Sequence, residues 1–382
     1  MLTASNPWFE AREATFEPTS PVAPITSSLF KATSHSPAVS FSSLSIQPSV
    51  RNIELVLLIT GGTGYIGSKL LRDLAAHPKF KGSTIRILDS MLRERYVSIM
   101  DVPVGSGFEF IEGDVRNEED LKKAFRDVDM VVDLAGITNA PLSFERKELT
   151  LDVNVNGGRK VVDHAVRSEV DKFVYSSTAS VYGPTSGVVD ETYACKPISP
   201  YGESKLQAEK ACLDASRESG LDSTVLRLGT VFGYSIGMRF DTVVDRFTYL
   251  ACIGMPLTVW ESAQNEKRPY LHIQDTSDAL AYALGKKGMT GEVYNVVGEN
   301  ASLNRITSVI LREVLDAKVV ITPTPNLNQV SYELDGSKIE RLGFKPRHTL
   351  ETGVREIVDK FRTLIRNRAP TNVAKVMTSK SK

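Results

Sequence analysis

The stretch that decides the fold is IELVLLITGGTGYIGSKLLRDLAAH, residues Ile53 to His77. Its first eight residues form a nearly continuous apolar run, the pattern of a parallel strand buried on both faces. Its second half places Ile66, Leu70, Leu71 and Leu74 on one helical face. Between them Gly61, Gly64 and Gly67 read GxxGxxG, and Gly62, Gly64 and Gly67 read GxGxxG. Strand, glycine turn and helix together are the context in which that pattern has meaning. The glycines allow a tight turn and close backbone approach, and the helix N-terminus offers free N–H groups to a pyrophosphate. The competing reading is a plain strand-to-helix turn without a ligand.

Outward from this unit the chain alternates. STIRILD reads as a second strand, FEFIEGDV as a third, EEDLKKAFRDV as a helix and DMVVDLAG as a fourth strand. TLDVNVNGGRKVVDHAVRSEV is a long helix, KFVYSS a fifth strand, SPYGESKLQAEKACLDASRESG a helix and STVLRLGTVFG a sixth strand. Such alternation predicts right-handed βαβ units. The fold class is therefore α/β, a Rossmann-type doubly wound parallel sheet.

After Gly233 the alternation breaks down. RFDTVVDRFTYLACIGMPLTVW reads as a helix and a short strand, while RPYLHIQDTSDALAYALGK and EVYNVVG still read as core strand and helix. SLNRITSVILREVLDAKVVIT reads as a helix running into a strand. The expectation is a dinucleotide-binding domain over residues 52–233 and a smaller C-terminal substrate-binding lobe over 234–362, interleaved with late sheet elements. Residues 1–51, rich in Ser, Thr and Pro, read as a disordered tail, with an organelle transit peptide as the alternative. Glu10, Glu13 and Glu17 count against transit. Residues 363–382 read as a flexible tail. No repeat of solenoid period is present.

The 46 basic residues of the 382-residue chain balance 46 acidic ones, so no net positive field draws it to nucleic acid or an acidic membrane. No apolar run reaches the length of a membrane span. Cys195, Cys212 and Cys252 are widely spaced, which argues against a disulfide framework or a zinc site and for a reducing, cytoplasmic setting. The five histidines show no metal-ligand spacing, so no metal is expected.

Asp89 ends the second strand, 22 residues beyond Gly67. A carboxylate there accepts hydrogen bonds from ribose hydroxyls and repels a 2′-phosphate, which favours NAD over NADP. Arg93 and Arg95 close behind it keep NADP as the alternative. Asp114 ends the third strand, where it reads either as an adenine neighbour or as a turn aspartate. Tyr201 and Lys205 stand four apart and share a helical face. A phenol near its ordinary pKa of about 10 is a poor base at neutral pH. A neighbouring ammonium and a cationic nicotinamide both lower it and give a general acid/base for alcohol–ketone chemistry.

TGGTGYIG, LAG, NVNGG, SSTASVYG, YGESK, LRLGTVFG, RPYLHIQD and YNVVG occur here in the order found in extended short-chain dehydrogenases/reductases. The sequence resembles the NAD-dependent epimerase/dehydratase family over about residues 53–360. The resemblance implies that Gly61, Gly64 and Gly67 cradle the pyrophosphate of NAD, with Tyr65 and Ile66 lining the turn. It places Asp89 at the adenosine ribose, Asp114 and Val115 at the adenine, and Leu134, Ala135 and Gly136 under the cofactor. It makes Thr178 the catalytic hydroxyl and Tyr201 the acid/base. Lys205 then binds the nicotinamide ribose and tunes Tyr201. Arg268 matches an arginine that grips a diphosphate, Thr230 stands at a substrate-contact position, and Asn154 reads as a structural link. The implied partners are a nucleotide-sugar substrate and a second copy of the chain in a homodimer.

Three positions depart from the family pattern: Thr230 stands where Asn is frequent, Gln274 where Asp is common, and Ser90 where Asn is frequent. A fourth departure bears on the reaction. Family dehydratases carry an acidic pair after the catalytic Thr, and decarboxylases carry a Glu. This chain has Ala179 and Ser180, neither of which can act as a carboxylate acid. The expectation is a nucleotide-sugar epimerase working through a keto-sugar intermediate. The alternatives are a reductase or dehydrogenase of the same family, and a catalytically idle NAD-binding protein.

Overall fold

A computed structural model describes residues 55–103, 107–185, 187–323 and 331–366. The expected tail 1–51, and all of 363–382 beyond residue 366, lie outside the described residues. The strands in chain order are β1 (Val56–Thr60), β2 (Thr84–Asp89), β3 (Gly107–Glu112), β4 (Met130–Asp133), β5 (Lys172–Thr178), β6 (Val188–Val189) and β7 (Ser223–Leu228). They continue with β8 (Thr230–Phe232), β9 (Leu257–Trp260), β10 (Lys267–His272), β11 (Glu292–Val296), β12 (Glu299–Ser302), β13 (Val319–Thr322) and β14 (Glu333–Leu334).

Seven strands form one parallel sheet in the order β11-β7-β5-β4-β1-β2-β3. Strand order reverses between β1 and β4, and in such sheets dinucleotides bind outside the C-terminal strand ends at that point. The apolar run of β1 is explained by its place at the centre: Leu57, Leu58 and Ile59 are fully buried.

Helices cover both faces. On one, Leu57 and Ile59 meet Leu70, Leu71 and Leu74 of α1 (Tyr65–Ala76) and a helix at Ile273–Gly285. On the other, Leu58, Val131 and Phe173 meet α2 (Glu118–Ala124), α4 (Gly158–Arg167) and α5 (Pro200–Ser219), and a short α3 (Lys147–Leu151) packs on α5. A third core gathers Phe232 and Tyr270 with α6 (Val243–Cys252) and the helices Leu303–Glu313 and Leu350–Lys360.

Two elements differ from the sequence expectation. The sixth strand is split at Gly229. Gly229 N–H donates the last bond toward β11, at 2.9 Å to Val296 O. Thr230 then pairs with Tyr270 instead, placing β8 beside β10 in a separate three-stranded sheet with β12. A side chain at Gly229 would meet the Pro269 backbone at 3.1 Å and press the two strands apart by a few tenths of an ångström. The RPYLHIQD strand thus belongs to this smaller sheet and not to the main one. The long helix after β4 is interrupted by a π turn at Asp152–Gly157. None of the described helices is long and apolar enough to cross a membrane.

Candidate active site

The glycine turn packs directly on the strand-end segment beneath it. Gly61 has φ +66°, and a Cβ there would lie 2.8 Å from the Leu134 carbonyl carbon and from Ala135 N. Gly64 is the N-cap of α1, and Gly67 lies in its first turn. The helix start has no side-chain cap and no acidic residue in its first turn, which leaves its N–H groups and positive dipole end to an anion. Asp89 accepts from Thr63 N–H and Met91 N–H, both at 3.0 Å. A carboxylate has about four acceptor sites, so two remain for ribose hydroxyls. These residues fit a dinucleotide.

The adenine-side pair is more constrained. Arg116 grips Asp114 through Nε at 3.0 Å and Nη2 at 2.7 Å, and also reaches Asp152 at 2.8 Å. The Arg116 hydrogen bonds hold the Asp114 carboxyl below its ordinary pKa. Val115 is buried in the core beside β1. Tyr65 opens α1 at the turn, but its hydroxyl reaches the other way, to Gly233 O at 2.5 Å and Asp245 Oδ2 at 3.1 Å. Ile66 is partly buried against the α1 core.

Thr178 ends β5, and its Oγ1 accepts from Ser180 N–H at 3.2 Å. Ser199 caps α5 through Gly202 N–H at 3.1 Å, with Pro200 at the first position, so Tyr201 is fixed in the opening turn. The Tyr201 backbone N–H donates to Ser143 Oγ at 3.1 Å, and its phenol is hydrogen-bonded to Thr178. Lys205 follows one turn on, is buried, and holds its Nζ 4.2 Å from the centre of the Tyr175 ring. Burial pushes Lys205 down to about 8, and Asp133 is the charge that most opposes this.

Burial raises the Tyr201 phenol, and the Arg239 charge is the strongest influence lowering it, followed by the Thr178 hydrogen bond. The sequence reading gave that role to Lys205 and a cationic nicotinamide. In the structure the ammonium is set against Tyr175 and Asp133, and Arg239 is the cation acting most strongly on the phenol. Arg239 Nη1 donates to Thr138 Oγ1 at 2.5 Å, and its Nε lies 3.0 Å from Asp241. No spacing rule links position 239 to Tyr201. The available signal was its place in a loop just past a strand end, where site residues concentrate.

Asn154 lies in the π turn. It accepts from Ile137 N–H at 2.7 Å and donates to Ile137 O at 3.0 Å and Ser204 Oγ at 2.9 Å. Ser204 in turn donates to Tyr201 O at 2.8 Å, so Asn154 ties the segment after Gly136 to the opening turn of α5. Arg268, on β10, lies 5.4 Å over the Tyr332 ring. Tyr332 acts electrostatically on both Tyr201 and Tyr270, and its backbone N–H donates to Lys267 O at the start of β10 at 3.1 Å. The motif reading had not singled out Tyr332, which no motif contains.

Fold and family together define an NAD-dependent α/β enzyme built on a doubly wound parallel sheet. The chain belongs to the NAD dependent epimerase/dehydratase family, whose sequence model matches residues 57–297. It is 32% identical over 244 residues to a UDP-glucose 4-epimerase of Azospirillum brasilense, covering 60% of this chain and 68% of that protein. It is similar to the crystal structure of UDP-glucuronic acid 4-epimerase from Bacillus cereus with UDP-glucuronic acid and NAD. There the TM-score is 0.74 at 27% identity, over 81% of this chain and 100% of the other. It is also similar to a dTDP-glucose 4,6-dehydratase from Streptomyces venezuelae with NAD bound, with TM-score 0.71 at 27% identity over 81% and 97%.

Proposed function

We propose that the protein is a nucleotide-sugar epimerase, of the kind that inverts a ring carbon of a UDP-sugar. The observation that carries the reading is the composition of the acid–base set. Tyr201 is bonded to Thr178, and the two positions that follow Thr178 are Ala179 and Ser180. Water loss needs a carboxyl acid beside the sugar. The carboxylate acting on Tyr201 is Asp241, which is already ion-paired to Arg239. Hydroxyl chemistry is what the set can do.

NAD supplies reversible hydride transfer when bound. Tyr201 takes the proton of a sugar hydroxyl and returns it, and Thr178 holds the reacting oxygen. Arg239 favours the phenolate. Arg268 on its Tyr332 bed suits the diphosphate, because a planar guanidinium binds two phosphate oxygens at once. Residues 234–362 then form the substrate lobe, and two copies pair through α4 and α5.

The test is incubation of purified enzyme with UDP-galactose and UDP-glucuronate without added cofactor, with products separated chromatographically. Interconversion of epimers with no net absorbance change at the reduced-nicotinamide band is expected. A 4-keto-6-deoxy product, or stoichiometric NADH, would overturn the reading in favour of dehydration or net redox.

A further inference from the structure

Lys205 shares a helical face with Tyr201, yet it is buried with its ammonium over an aromatic ring, a setting that favours the uncharged amine. Its surroundings come from three elements. The Tyr175 ring on β5 lies under its Nζ, Cys212 and Glu209 come from its own helix, and Asp133 comes from the end of β4. Cys212 is held neutral by burial. Glu209 is committed elsewhere: both of its oxygens face the Arg227 guanidinium, and Ser177 donates to it at 2.8 Å. Asp133 is different. It is 1% exposed, and among the described residues Lys205 is the cation that acts on it.

Asp133 is also firmly placed. Thr60, Asp133 and Tyr175 are register partners across β1, β4 and β5. Thr60 Oγ1 donates to Asp133 Oδ1 at 2.5 Å, and Ala135 N–H donates to the same oxygen at 3.2 Å. Thr60 directly precedes Gly61, and Ala135 N is the atom against which the Gly61 turn packs. One carboxylate therefore touches the floor of the dinucleotide turn and pairs in register with Tyr175, whose ring lies under the Lys205 ammonium.

We propose that Asp133 is a positioning residue that keeps the buried Lys205 ammonium charged and directed to the cofactor crevice, coupling the glycine turn to the Tyr201 helix. The role concerns NAD binding, so it stands or falls separately from epimerisation. Burial works against a charged lysine, and a nearby opposite charge restores it. A neutral residue at 133 therefore lets Lys205 lose its proton at lower pH.

The experiment labels the lysine ε-carbons of the full chain with 13C and follows the Lys205 signal, identified by its loss in Lys205→Arg, against pH. NAD affinity is measured by calorimetry over the same range. In Asp133→Asn the Lys205 midpoint is expected to fall by about one pH unit or more, and the alkaline loss of NAD affinity to move with it. In a Lys205→Arg background, where the cation does not titrate, Asp133→Asn should leave the pH dependence of NAD affinity unchanged. An unmoved or raised Lys205 midpoint overturns the proposal, as does an equal change of pH dependence in both backgrounds. Should Asp133→Asn not fold, Thr60→Val decides. It removes a hydrogen bond to the ionised carboxyl, so a smaller fall in the Lys205 midpoint is expected and no fall overturns.

Discussion

Tyr65 Oη lies 3.1 Å from Asp245 Oδ2, and the same hydroxyl lies 2.5 Å from Gly233 O. The hydroxyl shares its one proton between the two acceptors, and its bond to Asp245 favours the ionised carboxyl. Burial, the largest influence, nonetheless pushes Asp245 up to about 7, partly offset by the Gly233 N–H bond.

The consequence is a stability slope. A carboxyl whose folded pKa is raised keeps a proton that the unfolded chain has released, so stability is fully present at low pH. It is lost as pH climbs from about 4 through about 7, on the order of 1.4 kcal/mol per pH unit. Asp245→Asn keeps a neutral side chain beside Tyr65 and removes this slope. Denaturant melts at pH 5 and pH 8 should show the variant gaining on the parent at the higher pH. An equal difference at both would refute a protonated Asp245.

Tyr201→Phe deletes the acid/base while leaving the ring in place. Turnover should fall by about 10²- to 10⁴-fold, the usual worth of a positioned proton carrier, with NAD still bound. Thr178→Ala removes only the hydrogen bond to the phenol and should cost less. Comparable rates in Tyr201→Phe and the parent would remove Tyr201 from the mechanism.

Arg239→Gln takes away the charge that most lowers the Tyr201 phenol. The phenol then rises further, and the ascending limb of the kcat/KM profile moves to higher pH. Rates measured from pH 6 to pH 10 test this. A limb that stays in place would show that Arg239 serves only to join Thr138 to its own loop.

Gly61→Ala puts a methyl into a backbone at φ +66° and 2.8 Å from Leu134 and Ala135. The turn and the strand end must part, so NAD affinity should drop sharply while far-ultraviolet circular dichroism keeps its α/β form. Calorimetry with NAD reads the effect, and unchanged affinity would show the turn is not the pyrophosphate cradle.

Much of this was legible in the chain because local pattern and function coincide there. The β1 run, the glycine turn and the Tyr201–Lys205 spacing each lie within one or two elements, and their periods state their burial. What was not legible lies in contacts between distant segments. Nothing in STVLRLGTVFG shows that the chain changes sheets at Gly229, since both halves are equally apolar. Asp133, Arg239 and Tyr332 come from two strand ends or loops and a segment far along the chain, and only the packed sheet edge brings them round Tyr201 and Lys205. Arg239 escaped notice for the same reason: helical spacing gives the shared face of Tyr201 and Lys205 but not the neighbours that come from other segments.

Asn154 makes the last prediction. Its side chain satisfies both the N–H and the C=O of Ile137 and holds Ser204, which holds the Tyr201 carbonyl. Asn154→Ala leaves those backbone groups short of partners in a largely buried place, at a cost of about 1–3 kcal/mol for each buried group left unpaired. The melting temperature should fall, and kcat should fall more than substrate KM rises, because the chain that breaks leads to the acid/base and not to Arg268. Asn154→Asp restores the acceptor for Ile137 N–H but neither donor, and buries a charge, so it should recover little. Full recovery by Asp would show that the acceptor bond to Ile137 N–H alone matters and that the link to Ser204 does not position Tyr201.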